Sequence, residues 1–317
     1  MNNHTLTTLW TLLRRELWES PVAFKWTPLG IGALIILFAV ITLIIGARFD
    51  AQMAFTSDAL RMFATESFEQ KSLVVSGMLF SFSTIFFQLM LLIILFYLAG
   101  SLYDDRKDRS ILFWKSLPVS DWMTVASKLA TAAILVPAMF LAAIIITHVI
   151  LLIIASGYGL FAGINPITEF WLPASLPRLW TVMALGLVVQ ALWLLPIYAW
   201  LMFCSSWAPR LPILIAIAIP AAIAITQHVW SLTSTFSLPG FNLGMIMLKR
   251  LGAGILPMSA NIQFDGSYSD IQFNPDLFMS YSNVFSYLTR WDMWVGVLIG
   301  LALLTAAVWF RRRATDN

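Results

Sequence analysis

Long uncharged apolar runs dominate the pattern of hydrophobic and polar positions along this chain. Six of them contain no Asp, Glu, Lys or Arg, and they cover residues 29–46, 74–102, 129–155, 179–204, 213–230 and 293–310. A helix needs about 20 mostly apolar residues to cross a bilayer core of about 30 Å. Strands of a membrane barrel alternate apolar and polar positions, and these runs do not. The pattern therefore predicts an all-α, polytopic membrane protein with six transmembrane helices.

Composition agrees with this class. Hydrophobic residues make up 60% of the 317 and charged residues only 11%, whereas soluble domains have about 45–50% and about 25%. So few charges cannot cover the surface of a water-soluble globule. The single cysteine, Cys204, also excludes an intrachain disulfide and a cysteine-based metal cluster.

The distribution of the basic residues predicts the orientation. Six spans place both termini on one side, together with 12 of the 19 basic residues, namely Arg14, Arg15, Lys25, Arg106, Lys107, Arg109, Lys115, Lys128, Arg210, Arg311, Arg312 and Arg313. Cytoplasmic segments of membrane proteins are enriched in Lys and Arg. We therefore expect both termini in the cytoplasm and the protein in a bacterial cytoplasmic (inner) membrane. The first run exceeds the apolar part of a typical signal peptide, so we expect it to remain as a span.

Residues 1–24 predict an amphipathic helix ahead of a six-span domain that covers residues 25–317. Its apolar residues recur at helical spacing, at Leu6, Leu9, Trp10, Leu13 and Leu17. An amphipathic helix of this kind, with Trp at the headgroup layer, lies on the inner leaflet. The alternative is a short helix that packs on the cytoplasmic face of the protein itself.

Two long segments face the outer side. Residues 47–73 predict an amphipathic helix around 57–70. Residues 231–292 are rich in Ser, Asn, Gly and aromatic residues, and a connection of this length usually carries function or its own structure. Within it, residues 245–256 combine Lys249 and Arg250 with apolar residues and predict an interfacial or re-entrant helix.

The cytoplasmic loop 103–124 carries an unusual pattern. A dense charge cluster is followed by the apolar residues 111–114 and then by Pro118. An apolar patch on a cytoplasmic loop has to be buried. It predicts a docking helix for a soluble partner. The alternative is a solvated charged face whose apolar patch lies on the membrane surface.

The sequence predicts no catalytic, cofactor or metal site. No Lys follows a Gly, so the chain has no GxxxxGK[ST] phosphate-binding loop. The six runs also lack the intramembrane carboxylate that ion-coupled transport usually uses. Gln88, His148 and Gln190 are polar groups at membrane depth and are possible pathway residues. For His148 we favour a hydrogen-bonded packing role over a proton relay, because no acidic residue shares its depth.

One short pattern is compatible with an enzyme. Asp104, Asp105 and Asp108 have the DDxxD spacing by which membrane prenyltransferases hold diphosphate through Mg²⁺. Such enzymes need a second Asp-rich cluster, and here Asp121 and Asp316 are isolated in the sequence. Because basic residues are interleaved, a self-neutralised surface patch explains the cluster better.

The loop resembles a known family. Residues 103–121 look like the corresponding loop in the membrane subunit of ATP-binding-cassette transporters of the type-2 exporter family. The matching positions are Asp105 and Arg106 for the acidic-basic pair, Ser110, Ile111 and Leu112 for the helical run, and Pro118, Val119 and Ser120 for its end. Residues 14–19 similarly resemble the amphipathic N-terminal helix of the family. Arg109 stands where the family usually has Gly.

The resemblance implies a division of labour between subunits. Residues 110–117 would form a coupling helix that inserts into a separate ATPase, so ATP and Mg²⁺ would bind to that partner and not to this chain. Two permease copies, identical or related, would face each other above two ATPase copies, with membrane lipids around them and no nucleic acid. Phe113 and Trp114 would be the buried anchors, and Asp105, Arg106 and Arg109 would form rim salt bridges. The implied coupling residues are Asp105, Arg106, Arg109, Ser110, Phe113, Trp114, Leu117 and Pro118.

Three functions therefore remain as hypotheses. The first is the permease subunit of an exporter of apolar or amphipathic cargo, with no enzymatic activity of its own. The second is a non-transporting membrane scaffold or sensor that docks a soluble partner through residues 103–121. The third is the prenyltransferase-like enzyme that would use Asp104, Asp105 and Asp108.

Overall fold

The chain is described by a computed structural model that covers residues 3–48, 50–108, 119–232, 242–255 and 280–313. All regular structure within these residues is helical. Six helical stretches are long and apolar enough to cross a membrane: Val22–Ile45, Phe68–Lys107, Asp121–Phe161, Ile167–Trp207, Pro212–Trp230 and Trp291–Arg313. Each overlaps one of the uncharged runs, so the prediction of an all-α chain with six apolar helices is confirmed.

Eleven α-helices follow one another along the described residues. They are α1 (Asn3–Glu19), α2 (Thr27–Arg48), α3 (Asp50–Thr65), α4 (Phe68–Lys107), α5 (Asp121–Ala130), α6 (Val136–Phe161), α7 (Leu176–Trp207), α8 (Pro212–Leu232), α9 (Leu243–Ile255), α10 (Tyr281–Ser286) and α11 (Trp291–Arg313). Three short π-helical stretches, Val22–Trp26, Thr131–Leu135 and Ile167–Trp171, adjoin them. The stretch Thr131–Leu135 ends two residues before Pro137, which has no N–H for the helical ladder.

The predicted helix at 57–70 is divided in two. Helix α3 ends at Thr65, and α4 begins at Phe68. The break follows from a capping box, because the Ser67 side chain accepts from the Gln70 N–H and the Gln70 side chain accepts from the Ser67 N–H. Residues 66–67 therefore start the second span and do not continue the helix before it.

Helix α7 forms the centre of the bundle. It contacts α4, α8, α9 and α11, and buried residues follow its whole length from Leu176 to Ser206. At Gly300, α11 lies close against the backbone of α7. A Cβ at this position would lie 3.2 Å from both the Leu195 carbonyl carbon and the Pro196 nitrogen. In contrast, α2 and α8 expose most of their apolar side chains. The core therefore surrounds α7, with α4 and α6 on one side and α11 on the other.

We expect Gly300→Leu to destabilise the bundle. The new side chain would collide with the α7 backbone, and overpacking of a tight contact costs about 1–3 kcal/mol. Thermal unfolding of the detergent-solubilised protein should show a lowered midpoint. Gly30→Leu is the matched control, because a Cβ at Gly30 meets no atom within 4 Å. Equal midpoints for the two variants would contradict the close α7–α11 contact.

Candidate functional site

Five charged residues meet at the end of the bundle that carries the termini. They are Glu16 of α1, Asp105 of α4, Asp121 and Lys128 of α5, and Arg311 of α11. We call these five residues the buried charge network. They connect four helices that are far apart in the sequence.

The ion pairs form a continuous chain. Arg311 Nη1 lies 2.9 Å from Asp105 Oδ2, and Arg311 Nε lies 3.3 Å from Asp121 Oδ1. Lys128 Nζ lies 3.5 Å from Asp105 Oδ1 and 3.3 Å from Glu16 Oε1. Asp105 therefore binds one cation with each oxygen. The network has two cations and three carboxylates.

Burial makes these pairings obligatory. Glu16 and Lys128 are each 3% exposed, Arg311 is 2% exposed and Asp105 is 7% exposed. An ion taken out of water loses several kcal/mol of solvation unless another charge compensates for it. Because each of these four residues needs its partners, the network fixes α1, α4, α5 and α11 relative to one another.

Hydrogen bonds from neighbouring residues complete the network. The Tyr97 hydroxyl donates to Glu16 Oε2 over 2.7 Å. Arg106 adds a third cation, and its Nη2 donates to the carbonyl oxygens of Ser205 and Ala208 at the end of α7. The Ser205 hydroxyl oxygen in turn accepts from the backbone N–H groups of Leu102 and Tyr103. With Arg106 the charges sum to zero, and α7 is joined to the same end.

The structure corrects the interpretation of residues 104–108 as a self-neutralised surface patch. Asp104 and Asp108 are exposed, but Asp105 points inward. It pairs with Lys128 and Arg311, which lie on other helices. Adjacent helical positions are about 100° apart around the axis, so neighbouring Asp residues face different surroundings.

The same orientation bears on the DDxxD pattern. Asp105 is already neutralised by two cations, while Asp104 and Asp108 are exposed. Asp121 is not isolated, because it pairs with Arg311. Among the described residues, no group of three or more His, Cys, Asp or Glu side chains is arranged to hold a metal ion. The three carboxylates of the pattern do not converge on one point.

The network flanks the segment that resembles a coupling helix. Asp105 precedes residues 109–118, and Asp121 follows them. Both carboxylates bind Arg311, so one guanidinium joins the two ends of the segment. The other coupling residues lie outside the described residues, namely Arg109, Ser110, Phe113, Trp114, Leu117 and Pro118. Their docking role stays a prediction.

The three polar residues at membrane depth have different surroundings. Gln88 is exposed on α4. Gln190 is buried, and its amide donates to the Gly254 carbonyl oxygen of α9. His148 is buried and hydrogen-bonded at both ring nitrogens. These residues do not form a single polar path.

His148 fills a packing role. The Trp180 indole N–H donates to His148 Nδ1 over 3.2 Å, and His148 Nε2 lies 3.0 Å from both the Leu79 carbonyl oxygen and Ser83 Oγ. Nδ1 is therefore an acceptor and Nε2 a donor, which is the neutral tautomer. These hydrogen bonds agree with a packing role for His148, which stays the preferred interpretation.

Arg250 is a buried cation whose place the sequence did not reveal. It lies on α9, and its guanidinium donates to the carbonyl oxygens of Trp193 and Asp292 over 2.8 and 2.7 Å. A Cβ at Gly296 would overlap this guanidinium, so the glycine makes room for it. The sequence alone does not connect Gly296 with Arg250, because the two residues lie on different helices and meet only in the assembled bundle.

Comparisons with family models, with curated proteins and with solved structures find no match to this chain. The likeness to type-2 exporter permeases therefore rests on residues 14–19 and 103–121 and on the arrangement of the spans.

We expect Asp105→Asn to destabilise the protein strongly. The change keeps the size of the side chain but leaves Lys128 and Arg311 buried with one carboxylate fewer, and breaking a buried ion pair costs about 3–5 kcal/mol. Equilibrium unfolding in mixed detergent micelles measures this loss. Asp104→Asn is the control one position away, and because Asp104 is exposed its effect should stay within about 0.5 kcal/mol. A similar small effect for both variants would contradict the role of the network.

Proposed function

We propose that this chain is the transmembrane permease subunit of an ATP-binding-cassette exporter. It would work as a pair of permeases driven by a separate ATPase, with both termini in the cytoplasm of a bacterial inner membrane. The observation that carries the proposal is the link between Asp105, Arg311 and Asp121. It joins α4, which precedes residues 110–117 in the sequence, and α5, which follows them, to α11.

This link gives a route by which force on the loop reaches the spans. In the sequence, residues 110–117 follow α4, which carries Asp105 in its last turn, and precede α5, which begins at Asp121. When the ATPase subunits close on ATP, they push on this segment. Because Arg311 holds both flanking carboxylates, α4, α5 and α11 move together. Both α4 and α11 contact α7, so the displacement reaches the centre of the bundle.

Phe113 and Trp114 are the anchors of the docking segment in this proposal. Large apolar side chains in an otherwise charged loop are the residue types that dominate binding energy at protein interfaces. Arg109 would contribute an exposed rim contact, which adds less. Asp105 and Arg106 act differently from the rim role that the resemblance implies, because both are engaged within the chain.

Helix α1 fits the role of an interfacial helix. One face holds Glu16, which pairs with Lys128 and accepts from Tyr97. The large side chains of Trp10 and Trp18 are exposed on other faces, as the headgroup layer favours. In this arrangement α1 lies on the inner leaflet and is bound to the same network as the coupling segment.

The second permease copy completes the pathway. Helices α2 and α8 leave most of their apolar surface uncovered by the chain itself, and a second copy and the lipids share that surface. The cargo is apolar or amphipathic, in line with the scarcity of charge in the spans. Alternating access between the two copies moves it outward.

We expect Trp114→Asp to abolish ATP hydrolysis that copurifies with the chain. A carboxylate in place of the indole would have to be buried in the docking groove, at a large desolvation cost. The tagged chain is purified from membranes of its own cells in mild detergent, and both ATP turnover and the mass of the intact complex are measured. Wild type should yield a complex of two permeases and two ATPase subunits.

Trp122→Asp is the matched control for this experiment. Trp122 is an exposed tryptophan in the first turn of α5, where an added carboxylate is favourable for the helix. The control should retain the ATPase and its activity. A stable complex with a partner that does not hydrolyse ATP would favour the scaffold hypothesis. Unchanged assembly and activity in Trp114→Asp would overturn the coupling-helix assignment.

A further inference from the structure

A cavity of about 650 Å³ lies between α7, α8, α9 and α11. Its volume falls within the range of about 300–1,000 Å³ that is usual for ligand pockets. Helix α7 contributes Trp193 and Trp200, α8 contributes Ile223, and α11 contributes Ile299 and Leu303. We call this cavity the lateral groove.

The lateral groove has a charged end and an apolar end. Apart from Lys249, Arg250, Arg290 and Asp292, its lining is apolar. All four charged residues lie on α9 or beside the start of α11. From Trp291 to Leu303 the groove follows α11 for about 18 Å, at a rise of about 1.5 Å per residue. One leaflet contributes about half of a bilayer core of about 30 Å, so the groove matches the depth of one leaflet.

The charges at this end do not balance. Arg290 pairs with Asp292 over 2.9 Å, and the Arg250 guanidinium binds two carbonyl oxygens and stacks on Trp193. Lys249 is exposed and has no ion-pair or hydrogen-bond partner in the part of the chain that the structure describes. Among the described residues that line the groove, three cations face one carboxylate, which leaves a positive rim above an apolar slot.

The walls of the groove are open toward the side of the bundle. Ile223 on one wall is 42% exposed, and on the other wall Val295 is 42% and Ile299 is 51% exposed. A ligand can therefore enter sideways from the surrounding bilayer. Its headgroup would stay at the level of Lys249, while its tail would lie along α7.

We propose that the lateral groove binds an anionic glycerophospholipid from the leaflet at the Trp291 end. Lys249 on the positive rim selects the anionic headgroup. The apolar slot between Trp200, Ile223 and Ile299 takes an acyl chain. The site goes beyond the proposed function, because a single chain forms it without an ATPase.

Native mass spectrometry of the delipidated, detergent-solubilised full chain tests the site. The probes are phosphatidylglycerol and phosphatidylcholine with identical acyl chains. One phosphatidylglycerol should bind each chain more tightly than phosphatidylcholine does. Lys249→Gln should weaken phosphatidylglycerol binding about fivefold, because one basic residue near an anionic headgroup contributes about that factor. Lys107→Gln is the control, since Lys107 is exposed at the opposite end of the bundle.

The apolar slot is tested separately. Ile299→Trp places a larger ring in the groove and should prevent binding of both lipids at this site. Leu298→Trp is the matched control, because Leu298 is exposed beside Ile299 and does not line the groove. Equal affinity for the two lipids, no effect of Lys249→Gln, or equal effects of the two Trp variants would each overturn the proposal. The measurement uses the chain alone, so its result is independent of whether an ATPase partner is found.

Discussion

A buried charge needs opposite charges in place of the water that it has lost, and Asp105 has them in Lys128 and Arg311. Neither cation is near it in the sequence. The pairing therefore imposes long-range order on a bundle whose other contacts are mostly apolar. Apolar contacts between helices are weakly selective in a membrane, because lipid tails are as apolar as the side chains. Ion pairs of this kind set the positions of α1, α4, α5 and α11 more specifically.

The two ends of the bundle use charge in different ways. At the end with the termini, the charges of the buried charge network and Arg106 sum to zero, and all six residues bind other groups of the same chain. At the other end, Arg250 and Arg290 are engaged, but Lys249 remains available to a ligand. The first arrangement holds helices together, which fits the proposed transmission of force from the ATPase to the spans. The second leaves a cation beside an apolar slot and fits recognition of an amphiphile.

The sequence predicts the spans well because their signal is local. The length and composition of an uncharged run identify a span without reference to the rest of the chain, so the six apolar helices could be predicted. The helix ahead of them could be predicted from the helical spacing of its apolar residues. The direction in which Asp105 points was not predictable, since Asp104, Asp105 and Asp108 look alike in the sequence. Only the positions of Lys128 and Arg311 in the assembled bundle distinguish them. The burial of Arg250 against Gly296 was hidden for the same reason.

Arg311 belongs to α11, which is synthesised after the other three helices of the network, and this affects the order of assembly. Helices α1, α4 and α5 are synthesised earlier, so Glu16, Asp105 and Asp121 meet Lys128 before any second cation of the network exists. At that stage three carboxylates share one cation. The insertion of α11 supplies the missing charge and closes this end of the bundle around it. The ion-paired base is therefore complete only after α11 has been synthesised and inserted, although its three carboxylates and Lys128 are made earlier.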